Sequence, residues 1–490
     1  SGDSWLDIVY IAFQDDVVRW LPADAGGVFR LPPQLVAELS DPVALAVDDF
    51  DGDGRAEFIT SAADAVVRKY AFDDDAPPFL YDTTTVMTAT TQGVTGIDLA
   101  DMNGDGHVDL VTTSRWDTTV ALWFNNGRGE FFDAVGSSRP TSLLISTSLT
   151  LPNDVVLADF TGDGVRDIVV ADASATGAVF WWPNDGDASF PDKPLVLGSC
   201  PYAHSIVSAD FNVDGLADIA VACIFNASLS VELFLSAAPS SVWSQHSVYS
   251  APGPLAPPAA PEFPPTLLYL AAGDIDADSL PDLVVSDAFN SVVVSLRNAA
   301  PAAVLGPPVV VDTMAVGTPT AVAVCDVDSD GALDIVLGIA NGSSSRLMLY
   351  TQSSPGSAAF PGPPTDLGGV LDPPEAIACA DVTADGRPDV VVAEIGHTSE
   401  SAVAPSLSLY RNEQPGWSAQ IPVANYNSNH PAVRLVDVTN DGLTDIIVAV
   451  TSYAEVRGAI QRRRLDTVPA SAAVPTFLGG ITPRLTDIHY

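Results

Sequence analysis

A nine-residue pattern, Asp-x-(Asp/Asn/Thr)-x-Asp-Gly-x-x-Asp, recurs along the chain and limits its possible folds more than any other feature. The copies start at Asp49, Asp101, Asp159, Asp210, Asp274, Asp326, Asp381 and Asp437. Successive starts lie 51 to 64 residues apart. One repeat of this length is typical of one four-stranded blade of a β-propeller.

Short apolar segments flank each copy in a constant order. One segment leads into the loop, as at residues 44–47, and a continuous apolar run leaves it, as at residues 168–171. Such runs are typical of strands buried on both faces. A third segment often ends in an aromatic residue, and a polar Asn/Gly turn with a following Phe, such as Phe190, predicts the outer edge strand of the blade. The repeat therefore predicts four strands.

The two ends of the chain complete the pattern. Asp3, Asp7 and residues 8–10 match its second half, whereas residues 484–488 match its first half. We therefore predict an all-β fold in which residues 1–490 form a single propeller of four-stranded blades. Strand 483–488 would pair with strand 6–10 and close a ring of nine blades. Propellers usually have 4 to 8 blades, so a ring of eight is the alternative.

The segment from Asp159 to Phe190 resembles a full VCBS unit, and the repeats resemble the FG-GAP/VCBS family, known from integrin α chains. This resemblance covers nearly the whole chain and implies a calcium-binding propeller. The family includes adhesion receptors, lectins and polysaccharide-acting enzymes, so the resemblance alone does not define the function. The repeated Phe-Gly and Gly-Ala-Pro elements of integrins are absent, and we do not expect an integrin-like ligand site.

The acidic loops are predicted calcium sites. Ca²⁺ prefers six to eight hard oxygen ligands, which each loop can supply from the side chains at positions 1, 3, 5 and 9 and the carbonyl of position 7. About eight ions are expected. The candidate ligands are Asp49, Asp51, Asp53, Arg55 and Glu57; Asp101, Asn103, Asp105, His107 and Asp109; Asp159, Thr161, Asp163, Val165 and Asp167; Asp210, Asn212, Asp214, Leu216 and Asp218; Asp274, Asp276, Asp278, Leu280 and Asp282; Asp326, Asp328, Asp330, Ala332 and Asp334; Asp381, Thr383, Asp385, Arg387 and Asp389; and Asp437, Thr439, Asp441, Leu443 and Asp445.

Two details qualify this prediction. Ser279 replaces the usual glycine at position 6 of the Asp274 loop, which predicts a strained or weaker site.

An EF-hand would need Glu at position 12 and flanking helices, but position 12 is Thr112 in the Asp101 loop and Val170 in the Asp159 loop, inside a predicted strand. The loops are therefore not EF-hands.

The charge of the chain agrees with bound cations. Its formal net charge is −42, yet 47% of its residues are hydrophobic, so it can form a core. Eight Ca²⁺ ions would add sixteen positive charges and bring the total to about −26. Nucleic acid and anionic lipid are excluded as partners because no basic surface offsets the repulsion. No charge-free apolar stretch is long enough to span a membrane, so direct insertion is not expected.

The cysteines and glycosylation motifs bear on the environment of the protein. Cys200 and Cys223 could form a disulfide or remain two buried thiols, whereas Cys325 and Cys379 are interpreted as core packing. Two Asn-x-Ser motifs begin at Asn226 and Asn341 and are candidate glycosylation sites.

Catalytic motifs are missing from the sequence. The six histidines show no zinc spacing, and no nucleophile elbow, phosphate loop or dinucleotide fingerprint occurs. We therefore interpret the chain as a secreted or cell-surface calcium-binding propeller. It would not be an enzyme, but an adhesion, assembly or ligand-binding module for protein or glycan at the cell surface or in the extracellular matrix. The alternatives are a polysaccharide lyase-like enzyme or a lectin on the same scaffold.

Ring closure can be tested by truncation. Deleting residues 483–490 should expose the edge of the strand formed by residues 6–10, because its predicted partner is lost. We expect aggregation or a lower melting temperature, measured by light scattering and calorimetry. A truncated chain that stays monomeric and equally stable would contradict closure by this strand.

Overall fold

The computed structural model describes the backbone of strands between residues 8 and 461. Side chains are described for Phe50, Ile59 and most of residues 98–420. The side-chain gaps within that range are residues 115–116, 132–142, 147–148, 187, 204, 226–227, 238–242, 254–267, 299–304, 315–316, 342–344, 353–359, 361, 369–372, 375, 382–386, 395–407 and 414–415. Among the described residues, no helix has the length and apolar character needed to cross a membrane.

Successive stretches of chain form separate antiparallel sheets. The first sheet comprises β1 (Ile8–Ala12), β2 (Val17–Leu21) and β5 (Gln34–Glu38), and a small pair, β3 (Ala23–Asp24) and β4 (Val28–Phe29), lies in its last connection. The second sheet comprises β6 (Pro42–Asp48), β7 (Glu57–Ala62), β8 (Val66–Ala71) and β9 (Asp82–Thr88). The third comprises β10 (Val94–Ala100), β11 (Asp109–Ser114), β12 (Thr119–Asn125), β13 (Phe131–Phe132) and β14 (Leu143–Ser146).

The next five sheets have four strands each, in chain order. The fourth comprises β15 (Pro152–Ala158), β16 (Asp167–Asp172), β17 (Ala178–Trp182) and β18 (Leu195–Ser199). The fifth comprises β19 (Ser205–Ala209), β20 (Asp218–Phe225), β21 (Ser228–Leu235) and β22 (Ser244–Pro252). The sixth comprises β23 (Leu268–Gly273), β24 (Asp282–Asp287), β25 (Val292–Leu296) and β26 (Val309–Thr313).

The seventh sheet comprises β27 (Thr318–Cys325), β28 (Asp334–Ala340), β29 (Arg346–Tyr350) and β30 (Thr365–Gly369). The eighth comprises β31 (Pro374–Ala380), β32 (Asp389–Glu394), β33 (Leu407–Tyr410) and β34 (Ile421–Ala424). The last described sheet comprises β35 (Ala432–Val436), β36 (Asp445–Val450) and β37 (Ala459–Gln461). The all-β class is confirmed, and each four-stranded meander has the architecture of a propeller blade.

The first three strands match the sequence prediction, but the predicted strand at the Phe after the polar turn is found in one sheet and not in another. In the third sheet, Phe131 lies in the short β13, which pairs with β12, and its buried ring is 5.4 Å from that of Phe50. In the fourth sheet, Phe190 precedes β18 and is not part of a strand. There the outer strand begins only at Leu195.

Among the described side chains, the apolar core lies between neighbouring sheets and forms several separate clusters. One apolar cluster joins Val111 of the third sheet and Met102 in its acidic loop to Val155, Ile168 and Trp182 of the fourth. The first strands of neighbouring sheets also contact each other from β6 to β35. Burial on both faces explains why second strands such as β16 are buried at every position.

Two disulfides also join neighbouring sheets. Cys200, which follows β18, bonds to Cys223 in β20, which settles the open alternative in favour of a disulfide. Cys325 in β27 bonds to Cys379 in β31, so the interpretation of this pair as plain core packing was wrong. Cys325 directly precedes its acidic loop, whereas Cys379 lies two residues before the next one, so the bonded positions are offset by one residue. Their Cα atoms are 6.3 Å apart, within bonding range.

The predicted ring closure falls partly outside the described residues. Strand β1 lies against β37 of the last described sheet, and the first sheet has three strands. Residues 483–488 are not among those described. The pairing of this segment with residues 6–10, and the count of nine blades, therefore stay predictions.

Buried side-chain amides connect successive sheets. Asn184, after β17, donates one hydrogen bond to the Met102 carbonyl in the preceding loop at 2.7 Å and another to the Arg166 carbonyl at 3.0 Å. We call such a residue a latch. The same contact to position 2 of the preceding loop is made by Asn125 to Phe50, Asn298 to Phe211, Gln352 to Ile275 and Asn412 to Val327.

The fifth sheet departs from this arrangement. Ser236 stands at the latch position, and its hydroxyl donates to the Ala217 carbonyl of its own sheet at 2.9 Å. The link to the preceding loop is instead a backbone bond from the Ala217 N–H to the Asp159 carbonyl at 3.2 Å. In this sheet a main-chain hydrogen bond therefore takes the place of the side-chain link that the longer Asn and Gln latches make.

Loss of a latch should destabilise the fold. Asn184→Ala leaves two carbonyls without their side-chain donors in a buried position, which should lower the free energy of unfolding by about 1–3 kcal/mol. Asn126→Ala is the control, because Asn126 is exposed and bonds within its own turn. Denaturant unfolding that shows equal changes for both variants would contradict a structural role of the latch.

Candidate metal centre

The acidic loops join the first and second strands of their sheets. The loops starting at Asp101, Asp159, Asp210, Asp274 and Asp326 are fully described, and we name each loop by its first residue. Of the Asp381 loop, Asp381, Arg387 and Asp389 are described, while Glu57 and Asp445 are described only as the first residues of β7 and β36. The other candidate ligands lie outside the described residues: Asp49, Asp51, Asp53, Arg55, Thr383, Asp385, Asp437, Thr439, Asp441 and Leu443.

The carboxylate at position 1 organises the backbone of the loop. In the Asp101 loop, one oxygen accepts the N–H groups of Gly104 at 2.8 Å and Asp105 at 3.2 Å, and the other accepts that of Gly106 at 2.8 Å. The bond to the N–H of position 6 recurs in the Asp159, Asp210, Asp274 and Asp326 loops. Hydrogen bonds within the protein are therefore enough to hold the loop backbone around its first aspartate.

Two backbone positions in each described loop are left-handed. Position 6, expected to be left-handed, has φ of +87° at Gly106 and +92° at Gly331. Position 4 is left-handed as well, which sequence reasoning missed because it is not always glycine: it is Val213, with φ of 58°, in the Asp210 loop. A non-glycine residue in this region carries strain of about 1–3 kcal/mol.

The aspartate at position 9 begins the second strand and is buried. Asp109 has no exposed surface, and its oxygens accept the N–H of Met102 at 2.9 Å and that of Asn125 at 2.8 Å. Asp167, Asp218, Asp282 and Asp334 make the same pair of bonds to their own loop and to the latch position. Each oxygen keeps a second lone pair that can face a cation.

Burial raises the pKa of these carboxyl groups. The pKa rises to about 7 for Asp109, Asp167, Asp218 and Asp334, because desolvation outweighs the two backbone hydrogen bonds. For Asp282 it rises to about 6, since desolvation is partly offset by Asn298 N–H and Arg297. A bound cation would favour the ionised form and would release protons on binding.

Carboxylate oxygens from positions 1, 3 and 9 converge in two loops. Asp326, Asp328 and Asp334 can each place one oxygen within 4.8 Å of the others, and so can Asp274, Asp276 and Asp282. Such a group could hold a metal ion, and its hard oxygens suit Ca²⁺. Position 5 is not part of either group: Asp330 and Asp278 accept the N–H of position 7, Ala332 and Leu280, at 2.9 Å.

In the other three fully described loops, position 3 is an amide or a hydroxyl. Asn103 accepts the N–H of Asp105 at 2.9 Å and donates to its carboxylate at 3.0 Å, and Asn212 donates to the Ser236 carbonyl. Thr161 lies near Asp159, with a 3.5 Å contact between their side-chain oxygens. Ligation by position 7 (His107, Val165, Leu216, Leu280 and Ala332) stays a prediction.

Comparison with solved structures supports the fold alone. Sqt1 from Chaetomium thermophilum is 12% identical, with a TM-score of 0.50 over 87% of this chain and 96% of that one. The same protein bound to the N-terminus of ribosomal protein L10 gives 0.48 at 11% identity over 87% and 97%. A lectin from Agrocybe aegerita that recognises terminal N-acetylglucosamine gives 0.45 at 19% identity over 74% and 90%.

Comparison with protein families gives a more specific result. A search of curated proteins finds no match. The model of the FG-GAP-like repeat matches residues 101–170, 159–221, 274–337, 326–392 and 381–448. These matches begin at acidic loops and together span more than half of the chain. The protein therefore belongs to the FG-GAP repeat family and has a β-propeller-like fold.

Proposed function

We propose that this chain is an extracellular calcium-binding propeller that serves as an adhesion, assembly or ligand-binding module for protein or glycan. The observation that carries the proposal is the repeated acidic loop. Its first and ninth aspartates recur with the same hydrogen bonds in consecutive sheets, as Asp101 and Asp109 show. In this proposal, calcium stabilises the scaffold and the connections between strands carry the ligand site.

Electrostatics favour calcium in these loops. The chain carries a formal charge of −42, and each loop gathers at least three carboxylates within nine residues. Repulsion among them opposes folding, and a divalent ion bound within a loop reduces it. Buried carboxyl groups such as Asp334, whose pKa is raised to about 7, would be ionised more readily beside such an ion. Calcium is therefore expected to bind the folded chain much better than the unfolded one.

The cysteines support an extracellular location. All four form disulfides that bridge neighbouring sheets, Cys200 to Cys223 and Cys325 to Cys379. Such bonds form and persist in oxidising compartments. The second Asn-x-Ser motif is also compatible with this location, because its Asn341 is exposed just after β28. Asn226 lies outside the described residues.

The proposal assigns binding and not catalysis to this module. The acidic loops are occupied by structural contacts, as the two hydrogen bonds accepted by buried Asp167 illustrate. The formal charge of −42 disfavours polyanions such as nucleic acid, and leaves protein or neutral glycan as the expected partners.

Calcium removal should lower stability. At a hundredfold excess of calcium over Kd, each independent site stabilises the fold by about 2.7 kcal/mol, which EDTA would remove. We expect a clearly lower melting temperature in EDTA, restored by calcium but not by added NaCl. An unchanged melting temperature after exhaustive chelation would contradict the proposed calcium sites.

Ligand binding should depend on the intact scaffold. We expect the chain to bind glycans or extracellular matrix proteins on arrays in calcium buffer, with loss of signal in EDTA. Incubation with polysaccharides, followed by size analysis, tests the enzyme alternative on the same preparation. Depolymerisation of any polysaccharide would contradict a purely binding role. An array on which no glycan or protein binds in a calcium-dependent way would contradict the proposed binding function.

A further inference from the structure

An arginine already lies among the carboxylates of one acidic loop. Arg297 follows β25, and its Nη1 atom is 3.2 Å from Asp276 Oδ2 and 3.4 Å from Asp282 Oδ2. Its side chain is only 12% exposed. These two aspartates belong, with Asp274, to one of the two groups that could hold a metal ion. The guanidinium therefore contacts two of the three carboxylates that would bind the ion.

We propose that Arg297 replaces calcium in the Asp274 loop, so that this loop binds no divalent ion. A guanidinium supplies the positive charge that the buried Asp282 needs and donates hydrogen bonds that a metal would replace with coordination. An additional Ca²⁺ at the same oxygens would lie within a few ångströms of a fixed positive charge, and repulsion between the two cations would weaken its binding.

Contacts from the neighbouring sheet hold the guanidinium in place. Its Nη2 atom donates to Gln352 Oε1 at 2.9 Å, and the Phe360 ring centre lies 6.0 Å from its Cζ atom. Gln352 is the latch of the seventh sheet, and its Nε2 atom donates to the Ile275 carbonyl at 2.7 Å. The Gln352 amide thus donates to the preceding loop through its nitrogen and accepts from Arg297 through its oxygen.

The Asp274 loop also departs from the other fully described loops in its backbone. Ala277 and Ser279 occupy its two left-handed positions, with φ of 59° and 70°. The other four loops have glycine at position 6. The residue before the latch differs as well: it is Phe124, Pro183, Leu235 and Thr351 beside the other four loops, Arg297 beside this one and Arg411 beside the partly described Asp381 loop. The loop that lacks the position-6 glycine is therefore also the fully described loop that has a buried arginine beside it.

The Asp326 loop provides a matched control. It has the same four aspartates at positions 1, 3, 5 and 9, and its oxygens converge in the same way. The residue equivalent to Arg297 is Thr351, which is uncharged. Within the described part of the chain, no Lys or Arg forms an ion pair with the Asp326 loop. The two loops thus differ in the cation and not in the number of carboxylates.

Counting ions per chain tests this inference, which rests on the proposed calcium binding. Native mass spectrometry in calcium would compare the wild type with Asp276→Ala, Asp328→Ala, Arg297→Gln and Arg297→Lys. Alanine is used because asparagine is itself a candidate ligand at position 3 of other loops, as Asn103 is. We expect Asp328→Ala to lose one ion and Asp276→Ala to keep the wild-type count. Arg297→Gln should gain one ion, whereas Arg297→Lys, which retains the charge, should gain none. Circular dichroism on each variant checks that the fold is retained.

Two results would overturn the inference: loss of an ion in Asp276→Ala, or an unchanged count in Arg297→Gln. The control separates this failure from failure of the proposed function. If Asp328→Ala loses one ion while Arg297→Gln gains none, calcium binding stands and the role of Arg297 is wrong. If Asp328→Ala also loses nothing, the calcium proposal fails together with it.

Discussion

The structure depends on a buried aspartate at the end of each acidic loop. Asp167 is typical: it is fully buried, and its carboxylate accepts the N–H of Phe160 in its own loop and the N–H of Asn184 after the third strand. The side chain of Asn184 then donates to the Met102 carbonyl in the loop of the preceding sheet. One carboxylate therefore fixes the loop, the turn beside it and, through the latch, the joint to the neighbouring sheet. Because this arrangement recurs from sheet to sheet, local loop geometry sets the packing of the whole array.

This arrangement has an electrostatic cost. Desolvation raises the pKa of the buried aspartates, to about 7 for Asp167 and Asp334, and further carboxylates lie within the same nine residues. Cations would lower that cost, and the chain has only 20 Lys and Arg residues for 62 Asp and Glu. The proposed calcium ions and Arg297 are then two solutions to one problem, an ion from solution in most loops and a guanidinium from the chain in the Asp274 loop. In either case the cation acts on the residues that also position the latch.

Periodicity in the sequence predicted the strands and loops well, since both follow from local pattern. β17 and β29 end in Trp182 and Tyr350, in agreement with the prediction of a third apolar segment that ends in an aromatic residue. The latch was missed because its two ends have no fixed relation in the sequence: Asn184 lies 17 residues after Asp167 and 82 after its acceptor Met102, while Asn412 lies 23 and 85 residues after the equivalent positions. The residue type also varies, from Asn to Gln352 and Ser236. The Cys325–Cys379 bond and the place of Arg297 were missed for a related reason, because both depend on how neighbouring sheets face each other.

Hydrogen exchange tests most directly whether the acidic loops and the joints between sheets form one coupled unit. Exchange followed by mass spectrometry, with and without calcium, would report separately on the loop at residues 159–167, the turn that begins at Asn184, and the outer strand Leu195–Ser199. Coupling predicts that calcium slows exchange in the loop and in the turn together, because Asp167 bonds to both, and that the outer strand changes little. Slower exchange in the loop with no change in the turn would show that the two are independent and would contradict the account.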